Sequence, residues 1–265
     1  MKRFKLIYDI ALQLLKARWK QTLVAAIGVT FSITMFITLL GFMNGLNDLL
    51  DGLILNRTPH IKLYNEIKPS SVQPIEKSQT NSGVHHFIES IKPYSGKPEI
   101  RNINAVMNFV KNDKRVKGIA PKITAQVFYN VGAVDLNGVI NGIDVEAENR
   151  LYFFEDYVIG GNYADLKNVP NSIVLGKVAA EKMLAKVGDV IQITTAKGDR
   201  VQLKVVGFFQ SGLADIDKIQ SYTSISTAQK ILGKPNSYIT DLQVKLWNIE
   251  LAPKVAKEYA QLFDI

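Results

Sequence analysis

Residues Leu23 to Met43 run for 21 positions without a charged side chain. At 1.5 Å of rise per residue, a helix over that run would be about 30 Å long, the thickness of a bilayer's hydrocarbon core. Eleven of its residues are Leu, Ile, Val or Phe. Each favours insertion by roughly 0.3–0.6 kcal/mol, so together they contribute about 3–7 kcal/mol before the smaller polar penalties. Thr30, Ser32, Thr34 and Thr38 interrupt the run. A hydroxyl on a helix can bond back to a carbonyl of the preceding turn, so these residues do not veto a span. Before any core is considered, the chain is constrained by a membrane.

The formal net charge of +8 would suit a nucleic-acid binder if the cations covered one face. They are concentrated elsewhere. Lys2, Arg3, Lys5, Lys16, Arg18 and Lys20 stand against Asp9 alone, immediately before the apolar run. Basic residues flank spans on the cytoplasmic side. The N-terminus is therefore expected in the cytoplasm and everything after Asn44 outside, and nucleic acid is not an expected partner. Trp19 suits the inner interface. The alternative is a cleaved signal peptide, but the apolar run is longer than a usual h-region and no small-x-small cleavage site follows it.

Amphipathic sequence flanks the span. Phe4, Ile7, Ala11, Leu14 and Leu15 fall near one helical face, which predicts a helix on the inner membrane surface over residues 1–20. Leu46, Leu49, Leu50, Leu53 and Ile54 recur at helical spacing, which predicts that the helix of 21–55 continues outward as a stalk. It contains no proline and can act as a rigid lever. A lone stalk would leave that stripe in water, so the stripe implies a partner helix. Gly41-Phe-Met-Asn-Gly45 is a GxxxG, a spacing that permits close helix crossing and also arises by chance in apolar sequence.

Residues 56–265 mix short strands and helices without strict βαβ alternation, so the class is α+β. Pro59 ends the stalk, and residues 60–64 alternate as a strand. Residues 66–100 are rich in Lys, Pro, Ser, Gly and Asn and predict an exposed loop. Asn102 is placed to cap a helix carrying Ile103, Val106, Met107 and Val110. Ile123, Ala125, Val127 and Tyr129 alternate, and Asn137-Gly138 predicts a hairpin turn returning through residues 139–143. A strand at 172–175 leads into a helix with Val178, Ala179, Met183 and Leu184. Strands at 190–195 and 201–209 pair across Lys197-Gly198-Asp199. Ser226-Thr-Ala-Gln229 reads as a capping box opening a helix. A strand at 239–246 and a helix with Leu251, Val255, Tyr259 and Leu262 complete the chain, Pro253 falling in that helix's first turn.

Catalytic signals are sparse. There is no cysteine, so disulfides, thiol nucleophiles and cysteine-based zinc sites are excluded. No phosphate-binding G-x-x-x-x-G-K-[ST], G-x-S-x-G or H-E-x-x-H occurs. His85-His86 lacks an evident third metal ligand, and His60 reads as a packed or surface residue. Asp215 and Asp217 form a carboxylate pair without a base, expected in a solvated loop. Gly160-Gly161 reads as a turn. No enzyme activity and no cofactor are expected. An anchored hydrolase would have to build on Asp215, Asp217 or His60.

Taken in order, several stretches resemble the lipoprotein-releasing and macrolide-exporter (MacB-like, FtsX-like) permeases of bacterial ABC transporters. They are Leu15-Lys-Ala-Arg18, the apolar helix ending in Gly41-Phe-Met-Asn-Gly45, Thr58-Pro-His-Ile61, Val116-Lys-Gly-Ile-Ala-Pro121 and Gly138-Val-Ile-Asn-Gly-Ile-Asp144. Later come Ile173-Val-Leu-Gly-Lys177, Val187-Gly-Asp189, Val205-Val-Gly-Phe208 and Ser226 to Gln229. The resemblance implies one transmembrane helix with its stalk, then an α+β extracytoplasmic domain of two subdomains, the second inserted at about 144–225. Three more spans would follow beyond Ile265, so the chain would be the N-terminal half of a permease or a departure from the family.

The implied partners are an ABC ATPase subunit, a second permease subunit, membrane lipid, and a lipoprotein or other amphiphilic cargo. The implied location is the bacterial inner membrane with a periplasmic main domain. In the lipoprotein branch the outer end of the first span borders the cargo site, which here corresponds to Phe42, Met43, Leu46, Leu49 and Leu50. The same residues could equally pack against neighbouring helices, as Gly41 and Gly45 would. The family's chaperone-recruiting subunits carry a long hook between two strands. Here that connection is only Ala196 to Arg200, which fits a subunit without the hook or a macrolide-exporter-like permease. The rival reading is a single-pass anchored scaffold or sensor.

Overall fold

A lipid-exposed backbone must satisfy its own hydrogen bonds, and the apolar run does so as a helix. The computed structural model describes residues 2–50, 58–67, 69, 91, 97–131 and 134–263. Helix α1 (Lys2–Ala17) is followed after Arg18 by helix α2 (Trp19–Leu50). The Thr22 hydroxyl donates to the Arg18 carbonyl at 3.2 Å and the Ser32 hydroxyl to the Gly28 carbonyl at 2.9 Å. These are the back-bonds that let polar residues sit in a span. Leu53 and Ile54 of the expected stalk, most of 66–100 and the His85-His86 pair lie outside the described residues.

Residues 1–56 and 57–265 form separate compact units. The second is built on one nine-stranded sheet in the order β1 (Ile61–Tyr64), β9 (Asp241–Leu246), β2 (Val116–Val131), β3 (Val134–Ile143), β8 (Gln220–Ser224), β5 (Ser172–Gly176), β7 (Arg200–Phe209), β4 (Val158–Ile159). Strand β6 (Val190–Thr195) pairs with both β2 and β7. Hydrogen bonding therefore closes a ring through β2, β3, β8, β5, β7 and β6. The length of β2 makes this possible: residues 116–122 pair with β9, and residues 127–130 pair with β6.

The ring holds one core. Val127, Tyr129, Ile140, Ile173, Leu175, Ile193, Leu203 and Val205 pack with Ala179 and Met183 of helix α6 (Lys177–Met183) and Ile231 of helix α8 (Ile225–Leu232). A second core lies where helices α3 (Ile103–Lys111) and α9 (Ala252–Phe263) cover β1, β9 and β2 through Val106, Val110, Val255 and Tyr259. A third gathers Val145, Phe154, Val174, Phe209 and Tyr222. Helix α4 (Val145–Tyr152) packs on Ala120 of β2 through Ala147, Leu151 and Tyr152. Helices α5 (Asp165–Asn168) and α7 (Ala214–Ile219) are short connectors.

The expected strand alternations hold: Ile61 and Leu63 are buried while Lys62 and Tyr64 are exposed, and Ile123, Ala125, Val127 and Tyr129 are all buried. Five local expectations are corrected. Asn137-Gly138 is not a turn. It lies inside β3, pairing with Phe128 and Val127, and the β2–β3 register instead runs to Val131 opposite Val134. Asn102 precedes α3 in a left-handed conformation (φ 51°) with no side-chain cap; its carbonyl receives Ala105 and Val106. The cap of α8 is Ser224, which accepts from the Thr227 amide, while the Gln229 side chain donates to the carbonyls of Asn236 and Tyr238. Leu184 leaves the apolar face of α6, ending the helix at φ 54° and 85% exposed. Asp217 is buried in α7 rather than solvated in a loop.

The β6–β7 hairpin is as short as its sequence suggests. The Thr195 hydroxyl accepts from the Lys197 and Asp199 amides, and Gly198 supplies φ 90°.

Candidate functional site

A helix turns about 100° per residue. On α2, Phe42, Met43, Leu46, Leu49 and Leu50 therefore share an arc of about 120°. Gly45 and Gly41 border one edge, and Asn44 and Asp48 lie opposite. The structure brings all seven predicted positions to the last three turns of one helix. Leu46 is 38% and Phe42 64% exposed, and no residue of α2 is buried by the chain itself. A Cβ on either glycine would meet nothing within 4 Å, so the ridge between them is open to another backbone. An apolar arc next to a two-glycine ridge can receive a helix or an acyl chain. It offers no acid, base or nucleophile.

In the outer unit the polar groups that sequence left in doubt take structural positions. Asp215 is exposed, whereas Asp217 is buried and accepts from both the amide and the hydroxyl of Ser211, each at 2.7 Å. The pair does not converge. Half-buried His60 uses Nδ1 to accept from the Leu246 amide at 3.2 Å. Gly161 is pressed against the β7 backbone, where a Cβ would stand 2.0 Å from the Val206 carbonyl oxygen. Among the described residues no group of three or more His, Asp or Glu could hold a metal ion.

Two charge clusters were not read from the sequence. Asp113, just past α3, receives Arg115 through Nε at 3.0 Å and Nη2 at 2.7 Å, and the Tyr259 hydroxyl at 2.8 Å. Arg115 Nη1 also reaches Glu258 at 2.8 Å, so the network ties the end of α3 to α9. The Arg115 hydrogen bonds hold the Asp113 carboxyl well below the usual range. With Phe109, Gln261 and Leu262, these residues line a surface groove of about 410 Å³.

The second cluster lies under α4. Asp241, Gln243 and Lys245 alternate along β9 with Leu242, Val244 and Leu246. The alternation was visible in the sequence, but a strand with a neighbour on each edge and helices on both faces buries its polar positions too. Lys62 pairs with Asp241 at 2.7 Å, and Thr124 and Thr240 donate to the same carboxylate.

The MacB-like periplasmic core domain family matches residues 22–262. The lipoprotein-releasing system transmembrane protein LolC of Neisseria meningitidis serogroup B is 24% identical over 242 residues, which cover 88% of this chain and 51% of that protein. The chain thus spans about half the length of the curated relative it matches. The extracellular domain of the noncanonic ABC-type transporter YknZ from Gram-positive bacteria is 15% identical, with a TM-score of 0.50 over 77% of this chain and 93% of that one. That likeness is one of fold. The periplasmic region of MacB from Actinobacillus actinomycetemcomitans aligns over 61% of this chain and 74% of its own, at 16% identity and a TM-score of 0.44.

Proposed function

Because the chain belongs to the MacB-like periplasmic core domain family and carries near its N-terminus an apolar helix long enough to cross a bilayer, we propose that it is the N-terminal half of an inner-membrane ABC transporter permease subunit. The observation that carries the reading is the family match from 22 to 262, which begins inside α2 and ends inside α9. Anchor and outer unit are thus matched as one piece.

In this reading α1 lies on the cytoplasmic surface, α2 crosses the membrane and the sheet domain stands outside. A separate ATPase subunit hydrolyses ATP in the cytoplasm. A proline-free helix resists bending, so α2 carries the resulting displacement across the bilayer. Phe42, Met43, Leu46, Leu49 and Leu50 receive a helix of the second permease subunit or an amphiphilic cargo. Gly41 and Gly45 let that neighbour approach closely. Catalysis belongs to the ATPase partner, and this chain contributes positioning and motion. The relation to a lipoprotein-releasing protein favours a lipidated cargo. The short β6–β7 turn fits a subunit that does not itself recruit a periplasmic chaperone.

The test uses the complete gene product. It should co-purify with an ABC ATPase in mild detergent, and the complex in vesicles should release a lipidated protein on addition of ATP but not of a non-hydrolysable analogue. No ATPase association, or ATP-independent release, would overturn the reading.

A further inference from the structure

Helix α4 sits on a polar strip of the sheet. Lys245 of β9, 3% exposed, donates through Nζ to the Leu151 carbonyl at 3.1 Å and lies 5.0 Å from the centre of the Tyr152 ring. Gly118 of β2 makes room for the Leu151 side chain: a Cβ there would stand 2.7 Å from Leu151 Cδ2. One turn before Tyr152, Glu148 is 8% exposed. Among the described residues its Oε2 has no hydrogen-bond partner, and neither has the Tyr152 hydroxyl or Gln243 Oε1. A buried carboxylate oxygen left without a donor costs free energy that the neutral acid largely avoids.

The titratable groups around this acid come from the elements packed about α4. Strand β2 supplies Lys122, whose ammonium form is itself disfavoured by burial. Strand β8 supplies Tyr222, which the Glu148 charge reaches, while on β9 Asp241 bears on Lys122 and Lys245 holds the Leu151 carbonyl. The helix itself supplies Asp144 and Tyr152. In the turn at 154–157, Glu155 and Asp156 are exposed, Glu155 is held by Asn149, and Tyr157 bears on Tyr222. Half-buried Lys122 thus opposes the desolvation of one buried acid.

We propose that Glu148 is a proton-controlled latch: neutral, it lets α4 seat on β2 and β9; ionised, it loosens that seat, so that pH outside the membrane sets how firmly the start of the 144–225 segment is held to the sheet. Burial pushes the Glu148 carboxyl from its ordinary 4.5 up to about 7, with Lys122 opposing. A raised carboxyl binds its proton more tightly in the closed state than in the open one. The seat is therefore firmest below pH 4.5, weakens as pH rises through the window up to about 7, and is level beyond it. The pH response follows from the buried acid and its neighbour Lys122 and does not depend on transport, whereas that the controlling pH is the one outside the membrane rests on the proposed topology.

The test is amide hydrogen exchange of the full chain in nanodiscs, read on peptides covering residues 145–152 at pH 5.5 and pH 8 and corrected for intrinsic exchange rates. The corrected opening of α4 should be on the order of tenfold greater at pH 8, while peptides of β5 and β7 stay level. Glu148→Gln should abolish the difference. Lys122→Met, which leaves the acid in place, should move the midpoint of the change to higher pH. Equal corrected protection at both pH values, a pH difference that survives Glu148→Gln, or a midpoint unmoved by Lys122→Met would each overturn the latch.

Discussion

The ring of Tyr129 lies over Gly138: a Cβ on residue 138 would stand 2.0 Å from the ring's Cε2 and 2.6 Å from its Cζ. The two residues are diagonal neighbours on β2 and β3, and the Tyr129 hydroxyl hydrogen-bonds the Ser221 hydroxyl on β8. The glycine is needed for the space it leaves under a buried ring. Tyr129 is 1% exposed and cannot swing aside. Gly138→Ala should therefore destabilise the outer unit by about 1–3 kcal/mol, the range for overpacking a filled core. Thermal unfolding followed by near-ultraviolet circular dichroism should show a midpoint lowered by several degrees. Tyr129→Phe, which keeps the ring and loses one hydrogen bond, should cost less.

Asp217 holds the segment before α7 by taking two hydrogen bonds from Ser211 on one oxygen. Asp217→Ala removes the acceptor shared by the half-buried Ser211 amide and hydroxyl and should cost about 1–2 kcal/mol in a urea titration. Asp217→Asn keeps an acceptor at that place and should retain most of the stability. Asp215→Ala, at an exposed position, should stay within about 0.5 kcal/mol of the parent.

The Asp113–Arg115–Tyr259 network predicts an acid dependence. The Asp113 carboxyl is depressed in the folded chain, chiefly by its hydrogen bonds with Arg115, from an ordinary value of 3.8. A depressed carboxyl contributes stability that is complete above its unfolded value and is lost as pH falls through the folded one. Urea midpoints measured from pH 6 downward should thus decline more steeply in the parent than in Asp113→Asn. The two chains should converge at the acid end, with the variant less stable at pH 6.

For the stripe on α2, the expectation concerns contact rather than stability. A photo-crosslinking residue at Phe42 or Leu46 should capture a second permease subunit or a lipidated protein, and one at Asn44, on the opposite side, should not. Capture of lipid alone at both stripe positions would remove the stripe as a site. Gly41→Leu with Gly45→Leu should weaken capture by a helix partner without preventing insertion, since both changes raise apolarity.

The span, the basic foot and the alternating strands at 60–64 and 123–129 were legible because each is a local period: charge-free length for the bilayer, two residues per repeat for a half-buried strand. The 190–209 hairpin was legible because its strands are contiguous and Gly198 answers a local demand for positive φ. Capping was legible only to within a few residues. Asn102 and Ser226 carry the right side chains, but at the start of α8 it is Ser224 that accepts from the Thr227 amide, and Asn102, in the left-handed region, gives α3 no side-chain cap. Asn137-Gly138 was misleading for a physical reason: the pair has the chemistry of a turn, and the glycine is required instead by a ring arriving from the neighbouring strand.

The sequence by itself determined an apolar helix long enough to cross a bilayer near the start of the chain, a dense basic segment directly before it and a cysteine-free α+β domain after it, because hydropathy, charge and composition are properties of consecutive residues. Only the tertiary structure decided that β6 closes the sheet by pairing with both β2 and β7, that Asp217 turns inward, and that α4 brings Glu148 to Lys122 and Leu151 to Lys245. Those residues are separated by tens of positions along the chain, and burial of a charge is a consequence of what folds over it.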